Sequence, residues 1–210
     1  LAFDDINETQ VFVDSTKLAI QNGITQFSNY MLYNWLDKPE DLWERLNIST
    51  KLYSSYVKIS GFSFPMKYVP INQTDRNFVG QYWTKKYLKA MNVILNVTKG
   101  VVAKEIDFFQ EAFGKSKDEF IEILSMPDDF IRHRKFYKSI GLTEAWKSQY
   151  RRLNNSETSE LLDILSSELE LSRTDKVSLK IKRILSFYKL SKKQIEYDKS
   201  CIDEVLEITT

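Results

Sequence analysis

The sequence predicts an α/β fold whose first third contains parallel strands and whose remainder is mainly α-helical. From Leu1 to about Ile71, short apolar runs alternate with helix-like segments, which is the pattern of parallel strands joined by helical crossovers. After Ile71 the sequence becomes helical in character, and glycine and proline separate the segments. We therefore divide the chain into three regions: residues 1–75, 76–153 and 154–210.

The chain begins with a predicted strand and helix. LAF, at residues 1–3, is the strand, and ETQVFVDSTKLAIQ, at residues 8–21, is the helix. Asn22 and Gly23 then supply a helix stop. Three apolar residues of this helix are expected to face the sheet: Val11, Leu18 and Ile20.

Two further strands flank a second helix. The strands are ITQFSNYMLYN, at residues 24–34, and KISGFSFPM, at residues 58–66. The helix between them opens with Pro39, Glu40 and Asp41, since proline needs no N–H in the first turn and acids meet the positive helix end. Its inward stripe is predicted to be Leu42, Leu46 and Tyr53. Three strand residues are expected to fill the core: Phe27, Met31 and Phe62.

The remaining elements are predicted to be helices. NQTDRNFVG, at residues 72–80, is expected to form a loop, and the long helix after it ends at Gly100. Further helices are predicted near residues 105–113, 117–124, 128–139 and 143–153. The polar linker at residues 154–160 offers an N-cap to a helical tail that starts with SETSELLDILSSELEL. The last predicted helix has an apolar stripe: Leu179, Ile181, Ile184, Leu185 and Tyr188.

Composition excludes several classes of protein. The 210 residues are 42% hydrophobic and carry a net charge of +1, so a core can form and no global charge excess favours nucleic acid or an acidic membrane. The single cysteine, Cys201, excludes an internal disulfide framework and fits a reducing cytosol. No apolar run reaches the roughly 18 residues that cross a bilayer, and the first residues show neither the basic region nor the apolar run expected of a signal segment. We expect a soluble, cytoplasmic protein with no membrane partner.

Several common catalytic arrangements are missing from the sequence. His133 lies between Arg132 and Arg134, and a solvated basic helix face explains it better than acid–base chemistry. One histidine and one cysteine have no metal-ligand spacing, so the sequence predicts no metal site in this chain. The chain also has no glycine-rich phosphate-binding loop.

Two basic stretches suggest a binding function as an alternative. Residues 76–104 contain cations without acids, interleaved with aromatic residues, and residues 132–152 add further cations. Cations can hold phosphates while aromatic rings stack on bases. Core packing also explains the rings, so a nucleic-acid partner is not favoured. The candidate polyanion contacts are Arg76, Lys85, Lys86, Lys89, Arg132 and Arg134.

The first third carries a more specific signal. In the run from Gln10 to Met66, a helix end at Gly23 and Ile24 leads into the strand that contains Asn29 to Leu32. Asp37 then precedes an acidic helix, and Pro65 falls near the end of the last strand. This order resembles the latter part of the radical SAM barrel, with Asp37 in the place of the acid in the family's turn and Tyr33 in the place of its glycine. The segment from FPMKYVPI to FFQEAFG is similar to the helical extension of uncharacterised members.

The resemblance implies that the chain is the C-terminal half of a partial (β/α) barrel followed by a helical extension. The family holds a [4Fe–4S] cluster with a CxxxCxxC loop after its first strand, and that motif is absent from this chain. Together with the opening LAFDD, which lacks an initiator Met, this predicts a C-terminal fragment whose partner is the missing N-terminal half of the barrel. Alone it would bind no cluster and be inactive. Intact, the parent would use the cluster to cleave S-adenosylmethionine (SAM) reductively and abstract hydrogen from an unknown substrate, and some members add cobalamin.

Ligands of parallel α/β barrels gather at the carboxyl ends of the strands. By resemblance, the candidate SAM and substrate contacts are Asp4, Asp5, Ser28, Asn29, Asn34, Ser63, Pro65 and Met66. Alternatively, such residues fill the barrel or cap the strand ends. A third hypothesis makes the chain a helical interaction subunit whose β/α segment is only a scaffold.

Overall fold

The protein consists of two compact units. The computed structural model describes three stretches of the chain: residues 1–72, 76–167 and 177–209. The first unit is made of Leu1–Trp83 and Ile94–Ile123. The second is made of Thr84–Val93 and Leu124–Thr210. All strands of the described residues lie in the first unit.

The α/β class predicted from the sequence is confirmed, with a small mixed sheet. The sheet contains β1 (Gln26–Tyr33), β2 (Ser60–Lys67) and β3 (Val102–Ala103), in that order. β1 and β2 are parallel, and α2 (Pro39–Ser54) is the crossover between them. β3 pairs with β2 in the antiparallel direction and was not predicted.

The predicted first strand is reduced to a single bridge. Ala2 pairs with Tyr30 in the parallel direction, and the chain leaves the sheet soon afterwards. The reason is local, because the carboxylate of Asp5 accepts a hydrogen bond from the amide of Asn7 at 2.9 Å and caps a short 3-10 helix, Ile6–Glu8. α1 (Thr9–Gln21) follows directly.

Buried and exposed residues alternate along β1 and β2, so one face of the sheet is covered. Phe27 and Met31 of β1 are buried as predicted, and the ring of Phe27 lies 5.8 Å from the ring of Tyr53 in α2. The predicted inward stripe of α2 is confirmed, since Leu42, Leu46 and Tyr53 are all buried. α2 therefore packs on the face that carries the odd-numbered residues of both strands.

Four predicted core residues are not in the core. Val11 and Leu18 of α1 are 67% and 60% exposed, because Phe12 occupies the buried side of the helix and stacks on Phe3 at 4.4 Å. Phe62 is exposed, since its neighbours Gly61 and Ser63 take the inward positions of β2. Leu179 is exposed at the first turn of its helix.

The helical character predicted after residue 71 is confirmed for the described residues. The helices are α3 (Lys85–Val97), α4 (Ile106–Phe113), α5 (Lys117–Ser125), α6 (Asp128–Arg132), α7 (Arg134–Ser139), α8 (Leu142–Tyr150), α9 (Asn155–Ser166), α10 (Leu179–Ser186), α11 (Lys192–Tyr197) and α12 (Ser200–Thr209). The single helix predicted over residues 128–139 is wrong, because the backbone leaves the helical region at His133. The N-cap predicted within residues 154–160 is Asn154, and α9 begins directly after it, so most of the predicted linker is helical.

Parts of two predictions lie outside the described residues. They are positions 73–75 of the predicted loop and positions 168–171 of the predicted tail helix. No helix in the described part of the chain is long and apolar enough to cross a membrane.

Replacing Gly61 with alanine is expected to destabilise the first unit by about 1–3 kcal/mol, because the added Cβ overpacks the sheet against α2. That Cβ would lie 2.5 Å from two ring carbons of Tyr53. Urea unfolding measures the change. Ser60→Ala, at the exposed neighbouring position, is the matched control. Equal unfolding midpoints for the two variants would show that the close approach to Tyr53 does not affect the stability.

Candidate functional site: the open sheet face and the strand ends

The face of the sheet opposite α2 is apolar and open. Its aromatic members contact each other, with Tyr30 and Phe64 stacked at 5.5 Å and Phe62 and Phe64 edge-on at 5.3 Å. Tyr30 is 53% exposed and Met66 is 45% exposed. An exposed cluster of large apolar side chains on one sheet face is characteristic of a binding or assembly surface. We call this set the open face: Ser28, Tyr30, Leu32, Phe62, Phe64 and Met66.

Alternation separates the predicted ligand contacts onto two faces. Ser28 and Met66 lie on the open face, whereas Asn29, Ser63 and Pro65 lie on the covered face. Ser28 pairs with Phe62, and Met66 lies four positions further along β2, so even the two predicted contacts on the open face are not close together.

Asn29 and Ser63 are joined in a buried hydrogen-bond network. The amide oxygen of Asn29 accepts from the hydroxyl of Ser63 at 2.9 Å and from the hydroxyl of Tyr53 at 3.2 Å. Ser63 also lies 2.9 Å from the hydroxyl of Ser49 in α2. Burial raises the pKa of Tyr53. This network ties α2 to both parallel strands.

Asn34 joins the strand ends to the segment that follows β2. Its side-chain amide donates to the carbonyls of Tyr68 at 3.1 Å and Phe78 at 3.0 Å. Its side-chain oxygen accepts from the amide of Gly80 at 2.7 Å. Asn34 has a φ of 72°, a left-handed conformation that asparagine adopts more readily than most residues. The buried side chain thus holds three backbone groups together.

The predicted aspartates are also engaged with the backbone. The carboxylate of Asp4 accepts from the amide of Leu32 at 2.7 Å, and Asp5 caps the 3-10 helix after it. Asp4 therefore extends the pairing between the N-terminal segment and β1 by one side-chain hydrogen bond.

Tyr33 belongs to the covered side of the sheet. It is buried and lies 5.2 Å from the ring of Trp83. Burial raises the pKa of Tyr33 to about 12. Tyr33 thus packs in the core of the first unit.

Arg45 is a buried polar residue that the sequence did not predict as part of the site. Its guanidinium is fully buried and donates to the carbonyl of Phe3 at 2.8 Å, the carbonyl of Leu32 at 2.9 Å and the carboxylate of Asp37 at 3.0 Å. Burial raises the pKa of Asp37, while Arg45 and the amide of Trp35 act in the opposite direction. A signal was available, because Arg45 lies within the buried stripe that includes Leu42 and Leu46.

The candidate polyanion contacts have different environments. Lys86 is buried, and its ammonium group donates to the carbonyl of Met126 and the carboxylate of Asp128. Lys86, Lys89 and Arg132 line one cleft of the second unit. Lys85 is exposed, Arg134 is partly exposed, and Arg76 belongs to the first unit. The structure thus brings together three of the six predicted contacts.

Neither a metal centre nor a known family is indicated by these observations. Among the described residues, no group of three or more His, Cys, Asp and Glu side chains could hold a metal ion. No protein-family model matches the sequence, and neither a curated protein nor a solved structure is significantly similar to it. The functional proposal therefore depends on the geometry of the sheet and on the resemblance of the first third of the sequence.

Proposed function

We propose that residues 1–67 form the last β/α units of a radical SAM barrel and contribute part of its SAM and substrate pocket. The observation that carries the proposal is the one-sided winding of the sheet. The segment at Ala2, β1 and β2 are neighbours in chain order and parallel, and α2 covers one face. A doubly wound sheet reverses its strand order and has helices on both faces. In a barrel, neighbouring strands keep their chain order and the sheet encloses the face that lacks helices. The observed strand order and the single covered face therefore support a barrel.

The open face has the composition expected of a barrel interior. Large apolar side chains fill the centre of such barrels in layers, and Tyr30, Phe62 and Phe64 would contribute to these layers. β3 occupies one edge of the sheet in the antiparallel direction. The preceding parallel strand of the proposed barrel would therefore pair at the other edge of the sheet, beside residues 1–3 and the bridge formed by Ala2.

The residues of this chain fit SAM but not its cluster. Ser28 and Met66 both lie on the open face but four positions apart in the register of β1 and β2, so we retain only Met66, near the carboxyl end of β2, as a SAM contact. Asn29, Asn34 and Ser63 are engaged in internal hydrogen bonds and act as supports of the strands. A [4Fe–4S] cluster that binds SAM needs three thiolates, and this chain has one cysteine. The cluster, which supplies the electron for SAM cleavage when bound, would be held by the proposed upstream segment.

The test begins with the reading frame. We expect a CxxxCxxC motif roughly one hundred residues before Leu1, because one β/α unit of a barrel takes about 30 residues. The joined polypeptide, reconstituted anaerobically with iron and sulfide, is expected to show the visible absorbance of a thiolate-bound cluster and to consume SAM under reduction. A start codon at Leu1 with no such motif upstream would refute the proposal.

A matched pair of variants tests the open face in the joined polypeptide. Phe62→Asp places a charge inside the proposed barrel, and SAM retention is expected to be lost because burying an unpaired carboxylate is costly. Val57→Asp is the control, since Val57 is exposed in the turn before β2. Equal SAM retention by both variants would contradict the placement of Phe62 in the interior.

A further inference from the structure

The second unit contains a cleft lined by three cations, which we call its rim, and by two apolar side chains of α9, which we call its floor. Its volume of 380 Å³ falls within the range of about 300–1,000 Å³ typical of small-molecule sites. Three cations and two carboxylates line it, so it carries one net positive charge. Ile164 and Leu165 of α9 contribute apolar surface. This combination is that of a site for a ligand with an anionic group and an apolar body.

Lys86 fixes one side of the rim. Its side chain is 3% exposed, and its ammonium group lies 2.6 Å from the carbonyl of Met126 and 2.7 Å from one oxygen of Asp128. The other oxygen of Asp128 lies 3.0 Å from the ammonium group of Lys89. Burial alone would raise the pKa of Asp128, but the two lysines lower it overall. One carboxylate thus meets two cations, and Lys89, which is 71% exposed, is left with donors for a ligand.

The second carboxylate of the cleft is already engaged. One oxygen of Asp129 accepts from the hydroxyl of Tyr137 at 2.6 Å and from the amide of Lys192 at 2.7 Å. Its other oxygen lies 3.9 Å from the imidazole of His133. Arg132 is exposed and forms no ion pair with any residue that the structure describes. Its planar guanidinium is suited to bidentate binding of a carboxylate or phosphate.

We infer that this cleft binds a small organic anion, with the carboxylate or phosphate held by Lys89 and Arg132 and the apolar body lying on Ile164 and Leu165. The inference concerns the second unit alone and does not depend on the barrel proposed for residues 1–67. A nucleic acid is less suitable, because Lys86, which the sequence offered as a polyanion contact, is withdrawn from the surface into its bond with Asp128. The site instead combines exposed cations with the apolar side chains of Ile164 and Leu165 in one cleft.

Isothermal titration with simple amphiphiles tests the inference. Octyl phosphate and octanoate, below their micellar concentrations, are expected to bind the full chain at one site. Inorganic phosphate and 1-octanol, which each lack half of the recognised chemistry, are expected to bind at least roughly tenfold more weakly. The ratio between the two amphiphiles then shows whether the site prefers a phosphate or a carboxylate.

Variants locate the binding. Lys89→Gln and Arg132→Gln are each expected to weaken octyl phosphate binding roughly tenfold, the loss of one charged contact. Ile164→Glu should weaken it as well, since it places an acid on the floor. Lys85→Gln is the matched control, because Lys85 is exposed on the same helix as Lys89 and lies outside the cleft lining. Thermal melts verify that each variant is folded.

Four outcomes would overturn the inference. They are the absence of measurable binding by either amphiphile, equal affinity for 1-octanol, undiminished binding by the Lys89→Gln and Arg132→Gln double variant, and a single-stranded oligonucleotide that binds more tightly and displaces octyl phosphate. The last outcome would assign the rim to a polyanion, and equal binding of 1-octanol would leave only an apolar cleft.

Discussion

Replacing Arg45 with methionine is expected to destabilise the protein by about 3–5 kcal/mol, because it leaves a buried carboxylate without its partner. Arg45 is fully buried, and its removal leaves three acceptors without the donor that they bond to. These acceptors are the carbonyls of Phe3 and Leu32 and the carboxylate of Asp37. These acceptors belong to the N-terminal segment, to β1 and to the turn before α2. Urea unfolding followed by circular dichroism measures the change.

Two comparisons isolate the cause. Lys51→Ala, at an exposed position of the same helix, should change the stability by less than about 0.5 kcal/mol. Adding Asp37→Asn to Arg45→Met removes the unpaired charge and should recover part of the loss. If Arg45→Met and Lys51→Ala unfold at the same urea concentration, the buried ion pair does not stabilise the first unit.

The stability deficit of Arg45→Met should also depend on pH. Burial already raises the pKa of Asp37 in the native protein, and loss of the guanidinium removes a contribution that lowers it. A carboxyl with a raised folded-state pKa takes up its proton in the folded protein first, so folding is favoured at low pH and this advantage is lost as the pH rises through that pKa. The deficit relative to the native chain should therefore shrink between about pH 7 and about pH 4.

Replacing Asn34 with alanine is expected to cost about 3 kcal/mol or more, since each buried backbone group left without a partner costs about 1–3 kcal/mol. The substitution removes the hydrogen bonds to Tyr68, Phe78 and Gly80. It also places alanine at a φ of 72°, which costs roughly 1–2 kcal/mol more for a residue with a Cβ. Chemical denaturation provides the measurement.

Asn34→Gly separates the two contributions. Glycine accepts the left-handed backbone without strain, so this variant should lose the hydrogen bonds alone and lie between Asn34→Ala and the native chain. Asn96→Ala, at an exposed asparagine of α3, is the matched control. If Asn34→Ala leaves the stability unchanged and lowers SAM binding by the joined polypeptide, then Asn34 is a ligand contact and not a support of the strand ends.

Local sequence was sufficient for the secondary structure from β1 to β2. The order of strand, helix and strand from β1 to β2 is visible in the alternation of β1 and in the proline and acids that open α2. An N-cap within residues 154–160 was visible for the same reason, because capping side chains bond to backbone groups two or three positions away. Such signals act within a few residues, so they need no knowledge of the rest of the chain.

The candidate site was harder to predict from the sequence than the secondary structure, because its contacts depend on the tertiary fold. Sequence placed Ser28 and Asn29 in one group of contacts, and the pleat of β1 separates them onto opposite faces. The role of Asn34 depends on a contact with Gly80, which lies 46 residues further along the chain. The sequence contains no local signal that predicts this contact. Lys86 resembled a surface cation until its contact with Asp128, 42 residues away, was known.

The sequence by itself determined the α/β class, the parallel strands with their helical crossover, and the absence of the three thiolates that a cluster needs. Only the tertiary structure decided which face of the sheet is open, why Arg45 and Asn34 are buried, and that Lys89 and Arg132 share one cleft. The physical reason is that hydrogen bonds and periodicity within an element are local. The face an element buries, and the partner a buried charge finds, are set by packing between residues distant in the chain.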